Sequence, residues 1–454
     1  MRFSSYNIFS ELIPEMGYAV LNGLSGAIDL ISEELYNFMT ENGTDEISEL
    51  EGIPLSDDDI DEYLDRGFIT EKSFEEEKDL ARFIAQSIDD ERKDYLVVLA
   101  VNMNCNYRCT YCFERDSECF RKNQKQILTK DQVDAIFMSL KDKEVKDPIQ
   151  LFGGEPLTRE TVEIVDHIIS KGKEIGRSFK ATTNAHDLNY FFQYLGKDMI
   201  NTLQITVDGP KRIHDKRRIS LDKTSSFDRI MENIKYVVRE KKDVHIDLRI
   251  NVDDTNIDHV EELLIYLENE GILPSGQVNP YISKVSGEDN HIANESEINR
   301  KSRILSKKYP YLSPDINISS IMNNLDLAIE LGLPLQRHCA YCAMLSLKTL
   351  VFAPDEKIYA CSEEIEKDGH DIGRYNKNGE ILWNDKVRKY YADHKLIKNE
   401  QCISCRYALL CTGGCFKQAE AENRGYSLRH CILYQENYPR LLAEKVSERL
   451  AVLS

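Results

Sequence analysis

The pattern of hydrophobic and polar positions divides the chain near residue 93. Before this point, three short apolar segments between turn residues predict a small β-sheet, and the stretches after them have helical spacing. The predicted strands are YNIF (6–9), GYAVLNG (17–23) and AIDLI (27–31), and the predicted helices cover 32–40 and 56–65 and begin again at 73. Ser73 and Glu76 have the spacing of a capping box. Residues 1–92 therefore predict a compact winged-helix-like module.

From Asp94 onward, predicted strands alternate with predicted helices. The first strand, YLVVLAVN (95–102), is an almost continuous apolar run, as in parallel strands buried on both faces. Five more strands are predicted at 149–152, 179–183, 203–207, 246–252 and 277–282, with helices from Thr129, over 159–175, around 228–239 and ending before Gly271. Repeated β-α units predict an α/β fold, a partial (β/α)6 TIM-like barrel over 93–290. Right-handed crossovers place the carboxyl ends of its strands at one rim.

The remaining sequence is less regular. Residues 291–337 are polar with helical spacing and predict a helical bridge. From 338 to 454 cysteines dominate, and the periodicity weakens until a helix near 438–450. Such a pattern is typical of a domain whose order depends on bound metal.

Charge and cysteine content narrow the function classes. A net charge of −20 argues against general binding to nucleic acid or anionic membranes. No apolar run approaches the ~20 residues of a membrane span, and the N-terminus lacks the pattern of a secretory signal. We therefore expect a cytoplasmic protein without nucleic-acid or membrane partners. The 12 cysteines fall into two groups, 105–119 and 339–431, which in a reducing compartment favours metal binding or catalysis over disulfides.

Three cysteines, Cys105, Cys109 and Cys112, lie in a short loop just after the first barrel strand. Three thiolates can hold three irons of a four-iron cluster and leave one iron open. A zinc site or chance spacing remains possible for this motif alone.

Polar groups and glycines follow the next strands at the same predicted rim, where β/α barrels place active sites. They are Gly153, Gly154 and Glu155 after the second strand, Asn184 after the third, Thr206, Asp208 and Gly209 at the fourth, and Arg249 and Asn251 in the fifth. Each has a structural alternative as a turn or a cap, but their joint placement favours a ligand site.

CxxxCxxC followed by GGEP resembles the radical SAM superfamily over about residues 94–290. The resemblance implies that Cys105, Cys109 and Cys112 bind a [4Fe-4S] cluster and that S-adenosylmethionine binds its fourth iron and is cleaved to a 5′-deoxyadenosyl radical. It also implies cofactor contacts. These residues are Tyr111 near the adenine, Gly153, Gly154 and Glu155 at the methionine amine, Asn184, and Thr206 and Arg218 at the methionyl or ribose part. Ala185 replaces the glycine common after the Asn of this motif.

The C-terminal cysteines resemble the SPASM domain of peptide-modifying radical SAM enzymes, which carries two auxiliary [4Fe-4S] clusters. The resemblance assigns Cys339, Cys342, Cys361 and Cys415 to cluster I, and Cys402, Cys405, Cys411 and Cys431 to cluster II. Zinc sites are the alternative. Glu356 replaces the family's glycine, and Cys339 lies only three residues before Cys342. If Cys339 is not a ligand, cluster I has an open iron. Cys119 stays unassigned.

The order of strands and helices in 1–92 resembles the PqqD-like leader-recognition element of ribosomal-peptide maturases, which captures a leader peptide as an added strand. We therefore expect a maturase that installs thioether crosslinks in a Cys-containing precursor peptide, reduced by a donor such as flavodoxin or ferredoxin. Carbon–carbon crosslinking or formylglycine formation is the alternative within the class, and a zinc-stabilised binding protein is the non-enzyme alternative. The catalytic base is unknown; the candidates are His214, Asp215, Glu363 and Glu364.

Overall fold

A computed structural model describes residues 1–43, 52–116, 126–285, 295–314 and 316–453. The chain forms two compact units, each built from separate stretches of sequence. The first unit comprises Met1–Lys93, Asn317–Ser346 and Tyr390–Ser454, and the second comprises Asp94–Ile316 and Leu347–Lys389. No helix in the described part of the chain combines the length and apolar character needed to cross a bilayer. The four-domain division predicted from the sequence remains a prediction.

The elements of the described residues have the following bounds. The strands are β1 Arg2–Phe3, β2 Asn7–Phe9, β3 Tyr18–Asn22, β4 Ile28–Ile31, β5 Ile69–Thr70, β6 Leu96–Asn102, β7 Tyr107–Cys109, β8 Ile149–Gly153, β9 Phe179–Thr183, β10 Ile200–Thr206, β11 Arg218–Ser220, β12 His245–Val252, β13 Val278–Lys284, β14 Thr349–Phe352, β15 Lys357–Tyr359, β16 Asp371–Tyr375 and β17 Ile381–Trp383. The helices are α1 Glu33–Asn42, α2 Asp57–Asp65, α3 Phe74–Glu91, α4 Lys130–Leu140, α5 Val162–Glu174, α6 Lys211–Arg217, α7 Ser226–Glu240, α8 Val260–Asn269, α9 Glu295–Lys308, α10 Ile316–Leu331, α11 Asp385–Asp393, α12 Glu400–Ile403, α13 Ala408–Cys411, α14 Phe416–Ala421 and α15 Leu428–Leu453.

The second unit is built on one large sheet whose core is parallel. Six strands lie in the order β13-β12-β10-β9-β8-β6, and each neighbouring pair is parallel. The apolar side chains of β6 from Val97 to Val101 are buried, as its continuous hydrophobic run predicts. The predicted α/β fold with six parallel strands is thereby confirmed. All six carboxyl ends face the same rim.

Local sequence explains where the connecting helices begin. Thr129 caps α4, and its side chain and that of Gln132 form the predicted capping box. The helix predicted over 159–175 begins as a 3-10 turn at Arg159–Thr161 and continues as α5. These helices return the chain to the opposite rim before each next strand.

The sheet extends further than the sequence pattern predicts. Beyond β6 lies β14, which is parallel to β6, followed by the antiparallel strands β15, β16 and β17. The weak periodicity after residue 338 did not indicate the four strands that lie within 349–383. These strands are only three to five residues long, too short for periodicity to reveal.

The first unit contains the N-terminal sheet, β2-β3-β4, whose strands are antiparallel. The three strands and the three helices α1, α2 and α3 confirm the elements predicted for 1–92. The three helices alone do not cover the apolar face of the N-terminal sheet. Ile8, Ala19 and Leu21 share a buried core with residues of α10 and α15, including Leu325, Leu441 and Leu442.

A buried ion pair ties the N-terminus to α3 within this unit. Arg2 donates to a carboxylate oxygen of Glu77 at 2.5 Å, and both side chains are almost fully buried. The hydroxyl of Ser4 and the backbone N–H of Ser5 donate to the same carboxylate. A buried charge with all its partners in place is stable, but loss of one partner leaves the other uncompensated.

We predict that Glu77→Ala lowers the free energy of unfolding of the first unit by about 3–5 kcal/mol, because Arg2 keeps a buried, unpaired charge. Urea denaturation measures the change. Glu75→Ala is the matched control, since Glu75 lies two residues away on the opposite face of the same helix, is exposed and pairs with Lys78; its cost should stay within about 0.5 kcal/mol. Equal effects of the two substitutions would contradict the prediction.

Candidate cofactor and metal sites

A cavity of about 360 Å3 opens at the carboxyl-end rim of the parallel strands. All ten residues that the sequence assigns to the first cluster and to its cofactor line it. They are Cys105, Cys109, Tyr111, Cys112, Gly153, Gly154, Glu155, Asn184, Thr206 and Arg218. The volume lies within the range of about 300–1,000 Å3 that is usual for small-molecule sites.

Gly153 and Gly154 let the end of β8 pass directly against the start of the cysteine loop. Gly153 has a φ of +128°, and a Cβ there would lie 2.3 Å from the carbonyl oxygen of Asn102. A Cβ on Gly154 would lie 2.7 Å from the carbonyl oxygen of Asn104. No other residue fits at these positions without moving the backbone.

The carboxylate of Glu155 joins the ends of two strands. Its Oε1 accepts hydrogen bonds from the hydroxyl of Thr183 at 2.6 Å and the backbone N–H of Leu157 at 2.9 Å. Its Oε2 accepts from the backbone N–H of Asn184 at 2.6 Å. Burial raises the pKa of Glu155 to about 7, against these hydrogen bonds, which lower it. Glu155 thus positions the β9 end in addition to lining the cavity.

Asn184 continues this connection to the cysteine loop. Its Nδ2 donates to the side-chain oxygen of Asn106 at 2.7 Å and contacts the sulfur of Cys105 at 3.9 Å. The next residue, Ala185, has a φ of +60°, the left-handed conformation that glycine adopts most easily. The substitution of the family's glycine by Ala185 therefore keeps the turn and does not displace Asn184.

The other wall of the cavity is basic and aromatic. Arg218 donates to the hydroxyl of Tyr111 at 2.9 Å, and Asn251 donates to the same oxygen at 3.2 Å. The guanidinium of Arg217 lies over the Tyr111 ring, 4.9 Å from its centroid. Arg217 is itself held by the carboxylates of Asp208 and Asp253. Tyr111 is thus fixed by three side chains from three elements, an arrangement that suits an aromatic ligand face.

The three cysteines of the loop are half-buried, and desolvation of their thiols raises the pKa of each of them. The pKa of Cys112 rises to about 12, and that of Cys105 rises well above its usual value. The nearby charge of Arg218 acts in the opposite direction on Cys109. Iron binds thiolates, so metal binding here must release protons. Three clustered thiols with few other partners fit an iron–sulfur cluster.

The structure adds one acid to this cavity that the sequence analysis missed. Glu114 is 9% exposed and lines the cavity beside Cys112. Its Oε1 is buried and has no hydrogen-bond partner among the described residues. Burial, together with the charges of Glu366 and Glu155, raises its pKa to about 7. No periodic pattern pointed to Glu114, because it lies in a 3-10 turn after the cysteines.

The four candidate bases do not line this cavity. His214 is fully buried and accepts from the backbone N–H of Asp208. Asp215 accepts hydrogen bonds from Ser225, Ser226 and Phe227. Glu364 is fully buried and pairs with His370, and Glu363 is exposed. Each of the three buried or bonded groups has a structural role.

A second cavity, of about 240 Å3, lies in the first unit and is lined by Cys402, Cys405, Cys411 and Cys431. These are the four cysteines assigned to cluster II. Burial raises the pKa of Cys402 and of Cys411 to about 12. Among the described residues, no three His, Cys, Asp or Glu side chains are arranged to hold a single metal ion.

The four cysteines assigned to cluster I are divided between the two units. Cys339 is buried in an apolar core with Ala81 and Ala85, and its thiol lies 3.8 Å from a carboxylate oxygen of Asp89. Cys342 is exposed, and Cys361 and Cys415 are half-buried. Cys415 precedes α14, and Cys361 precedes a 3-10 turn. Cys119 lies outside the described residues.

Glu356, which replaces a family glycine, behaves like Ala185. It lies in the turn between β14 and β15 and has a φ of +62°. The backbone N–H of Glu356 donates to the carbonyl of Ala353 at 3.1 Å. The hairpin that precedes Cys361 therefore keeps the left-handed turn despite the substitution.

Comparison with known proteins finds a family model that matches the segment containing the first cavity. Residues 101–267 match the model of the radical SAM superfamily. The matched segment contains the cysteine loop, the two glycines and Arg218, so it includes every residue of the first cavity up to Asn251. The match supports an enzyme with S-adenosylmethionine and a [4Fe-4S] cluster as cofactors, and it argues against a non-catalytic zinc protein.

Relatives and solved structures extend the likeness beyond this segment. A cysteine-type anaerobic sulfatase-maturating enzyme of Clostridium novyi is 24% identical over 72% of this chain and 88% of its own length. The radical SAM cyclopropyl synthase TigE of Paramaledivibacter caminithermalis is 25% identical over 43% of this chain and 47% of its own.

Two structures share the fold. The AdoMet-bound structure of anSMEcpe has a TM-score of 0.58 at 16% identity and covers 80% of this chain and 98% of its own. Streptococcus suis SuiB bound to its precursor peptide SuiA has a TM-score of 0.51 at 14% identity and covers 94% of this chain and 99% of its own. The predicted fold class is confirmed.

We predict that Glu114 makes the stability of the metal-free protein depend on pH. Its folded pKa of about 7 exceeds the ordinary value of 4.5, so between these values the folded state holds a proton that the unfolded state releases. Stability therefore falls as pH rises through this window. Glu114→Gln removes this contribution, and its advantage over the unsubstituted protein should grow by about 3 kcal/mol from pH 4.5 to above 7.

Urea denaturation at a series of pH values measures this difference. Glu163→Gln, an exposed acid on α5, is the control and should follow the unsubstituted protein at every pH. A Glu114→Gln curve parallel to that of the control would contradict the prediction.

Proposed function

We propose, from the membership of residues 101–267 in the radical SAM superfamily, that this enzyme cleaves S-adenosylmethionine reductively and modifies a ribosomally made, Cys-containing precursor peptide. The observation that carries the proposal is the first cavity, where three thiols meet the paired glycines, Tyr111 and Arg218. When bound, the reduced cluster and S-adenosylmethionine supply a 5′-deoxyadenosyl radical that takes hydrogen from the substrate.

Different residues of the first cavity would bind the cluster and the parts of S-adenosylmethionine. Cys105, Cys109 and Cys112 would hold the cluster. The backbone of Gly153 and Gly154 leaves room for the methionine amine, and the carboxylate of Glu155 supplies negative charge near it. Thr206 and Arg218 would bind the methionyl or ribose part, and Tyr111 would contact the adenine. Because a carbon-centred radical is unselective, these contacts must fix its position relative to the substrate.

The C-terminal cysteines would hold two auxiliary clusters. The cavity that Cys402, Cys405, Cys411 and Cys431 share supports their assignment to cluster II. Cys339, Cys342, Cys361 and Cys415 remain the proposed ligands of cluster I on the basis of the SPASM resemblance. Formation of a carbon–sulfur bond requires removal of one further electron and one proton after hydrogen abstraction, and an auxiliary cluster can accept that electron.

A peptide substrate is supported by the N-terminal sheet and by the relatives. The strands β2 and β4 are the edges of a three-stranded sheet, and an edge strand can bind an extended leader peptide through main-chain hydrogen bonds. One structural neighbour is bound to a precursor peptide, and one relative matures a sulfatase. The electron donor would be a small carrier such as flavodoxin or ferredoxin.

Thioether crosslinking is the product that we propose, and formylglycine formation is the second candidate. The likeness to the sulfatase-maturating enzyme over 88% of its length favours the second candidate. Against it, Cys361 is followed by Ser362, where sulfatase-maturing relatives carry an Asp that serves as a base. Glu364 is the first buried acid after Cys361 in the sequence. It is paired with His370 and does not line the first cavity.

The test is anaerobic incubation of the reconstituted enzyme with S-adenosylmethionine, dithionite and a small Cys-containing peptide encoded beside the gene. Thioether formation predicts loss of two hydrogens per crosslink, together with loss of thiols that iodoacetamide can alkylate. Formylglycine formation predicts loss of sulfur from the peptide and a new aldehyde that reacts with hydrazine. Absence of 5′-deoxyadenosine under all conditions would overturn the whole proposal.

We predict that Cys411→Ala lowers the iron content of the anaerobically purified protein by about four atoms per chain, since cluster II loses one of its four ligands. Iron and acid-labile sulfide analysis measures the loss. Cys119→Ala is the control because Cys119 belongs to none of the proposed ligand sets. An iron content that Cys411→Ala leaves unchanged would contradict the assignment of cluster II.

A further inference from the structure

A two-stranded ribbon carries Cys109, one of the proposed ligands of the first cluster. It consists of β7 and β11, which pair antiparallel with Cys109 opposite Arg218 and Arg108 opposite Ile219. The side chains of Arg218 and Ser220 are buried, whereas Ile219 between them is 46% exposed. One face of the ribbon is therefore directed inward with the cysteine loop, and the other faces solvent.

The solvent face of this ribbon is apolar with basic residues on either side. Leu221, directly after β11, is 48% exposed. Lys216 lies two residues before β11 and Lys223 lies two residues after Leu221, and both are exposed. We call Lys216, Ile219, Leu221 and Lys223 the ribbon patch. Exposed apolar side chains grouped in this way mark interaction sites more often than single ones do.

The ribbon patch carries two lysines around the single carboxylate of Asp222 and therefore keeps a net positive charge. Lys216 and Lys223 form no ion pair within the part of the chain that the structure describes. By contrast, the neighbouring basic residues Lys211 and Arg212 are paired with Asp228 and Glu262. Asp222, the acid inside the patch, is engaged by the hydroxyls of Ser220 and Thr224 and lies 3.3 Å from a ring nitrogen of His186.

A local basic patch on a chain of net charge −20 restricts which face an acidic partner can approach. The net negative charge of the chain repels such a partner on average, and like charges across an encounter suppress wrong orientations. A small patch of two apolar side chains and two lysines also suits a weak, transient complex, as electron-transfer pairs form.

We propose that the ribbon patch is the docking site of the acidic one-electron carrier protein that reduces the first cluster. The inference rests on the proposed function, because it requires a cluster held by Cys105, Cys109 and Cys112. In each productive encounter, one electron leaves the carrier's flavin hydroquinone, which becomes the semiquinone, and the cluster passes from the 2+ to the 1+ state. Ile219 of the patch directly follows Arg218, the residue that pairs with Cys109. A carrier bound to the patch would therefore lie on the outer face of the ribbon that carries this cluster ligand.

The test compares two double variants of the reconstituted holoenzyme, with reduced flavodoxin as the probe. Lys216→Gln with Lys223→Gln removes both charges of the patch. Lys173→Gln with Lys197→Gln is the matched control, because both lysines are exposed and precede β9 and β10 at the opposite rim of the same sheet. Three quantities are measured: the Kd for flavodoxin, the rate at which flavodoxin hydroquinone is oxidised by the enzyme, and the cleavage of S-adenosylmethionine driven by dithionite.

The patch variant should bind flavodoxin roughly tenfold more weakly and oxidise its hydroquinone correspondingly more slowly at low flavodoxin concentration. Dithionite is a small reductant that needs no docking surface, so cleavage driven by dithionite should equal that of the unsubstituted enzyme. The control variant should match the unsubstituted enzyme in all three measurements. Ile219→Thr keeps a β-branched side chain in β11 and should weaken flavodoxin binding without affecting the dithionite reaction.

Flavodoxin binding unchanged in the patch variant, or weakened equally in the control, would overturn the proposal. So would an equal loss of flavodoxin-driven and dithionite-driven cleavage in the patch variant, because the damage would then lie in the cofactor cavity. Failure of the unsubstituted enzyme to cleave S-adenosylmethionine with dithionite would refute the proposed function itself and is therefore distinguishable.

Discussion

The structure of the first site depends on how closely the end of β8 approaches the cysteine loop. Two glycines permit the contact with Asn102 and Asn104, and the carboxylate of Glu155 then fixes the end of β9 through Thr183 and Asn184. Asn184 in turn donates a hydrogen bond to Asn106 of the cysteine loop. The loop is thus attached to two strand ends of a rigid parallel sheet. Three thiols on a short irregular segment obtain fixed positions in this way, and a metal cluster needs that order before it can bind.

Electrostatics in the cavity follow from burial. The carboxyl groups of Glu114 and Glu155 would be ionised in water, but burial raises the pKa of each to about 7, and burial also favours the protonated form of the thiols. Arg217 and Arg218 supply the positive charge at this site. Asp208 and Asp253 stabilise the charge of Arg217, and the Tyr111 hydroxyl accepts a hydrogen bond from Arg218. The cavity therefore contains one acidic side and one basic side. A zwitterionic ligand with separated ammonium and carboxylate groups matches such a distribution.

The sequence predicted the parts of this molecule that repeat or that use a rigid motif. Buried strands such as β6 and capping boxes such as Thr129–Gln132 follow local rules, and cavity residues follow because parallel strands end at one rim. It did not predict β14–β17, which are too short for periodicity, or the core that Ile8 shares with Leu441, which depends on contacts between distant segments. Glu114 escaped because burial of an isolated acid leaves no pattern. Ala185 and Glu356 looked like departures, yet both adopt the positive φ that glycine adopts most easily.

The shared core of the first unit also constrains how the protein is made. The N-terminal sheet buries Ile8, Ala19 and Leu21 against α15, which lies more than four hundred residues later in the chain. During synthesis from the N-terminus, that apolar face lacks its partners until α10 and then α15 have been made. Closing so long a loop is slow, and exposed strands are prone to aggregation meanwhile. Six strands of the parallel sheet in the second unit are present once β13 has been made. This sheet can therefore fold before α15 of the first unit has been synthesised.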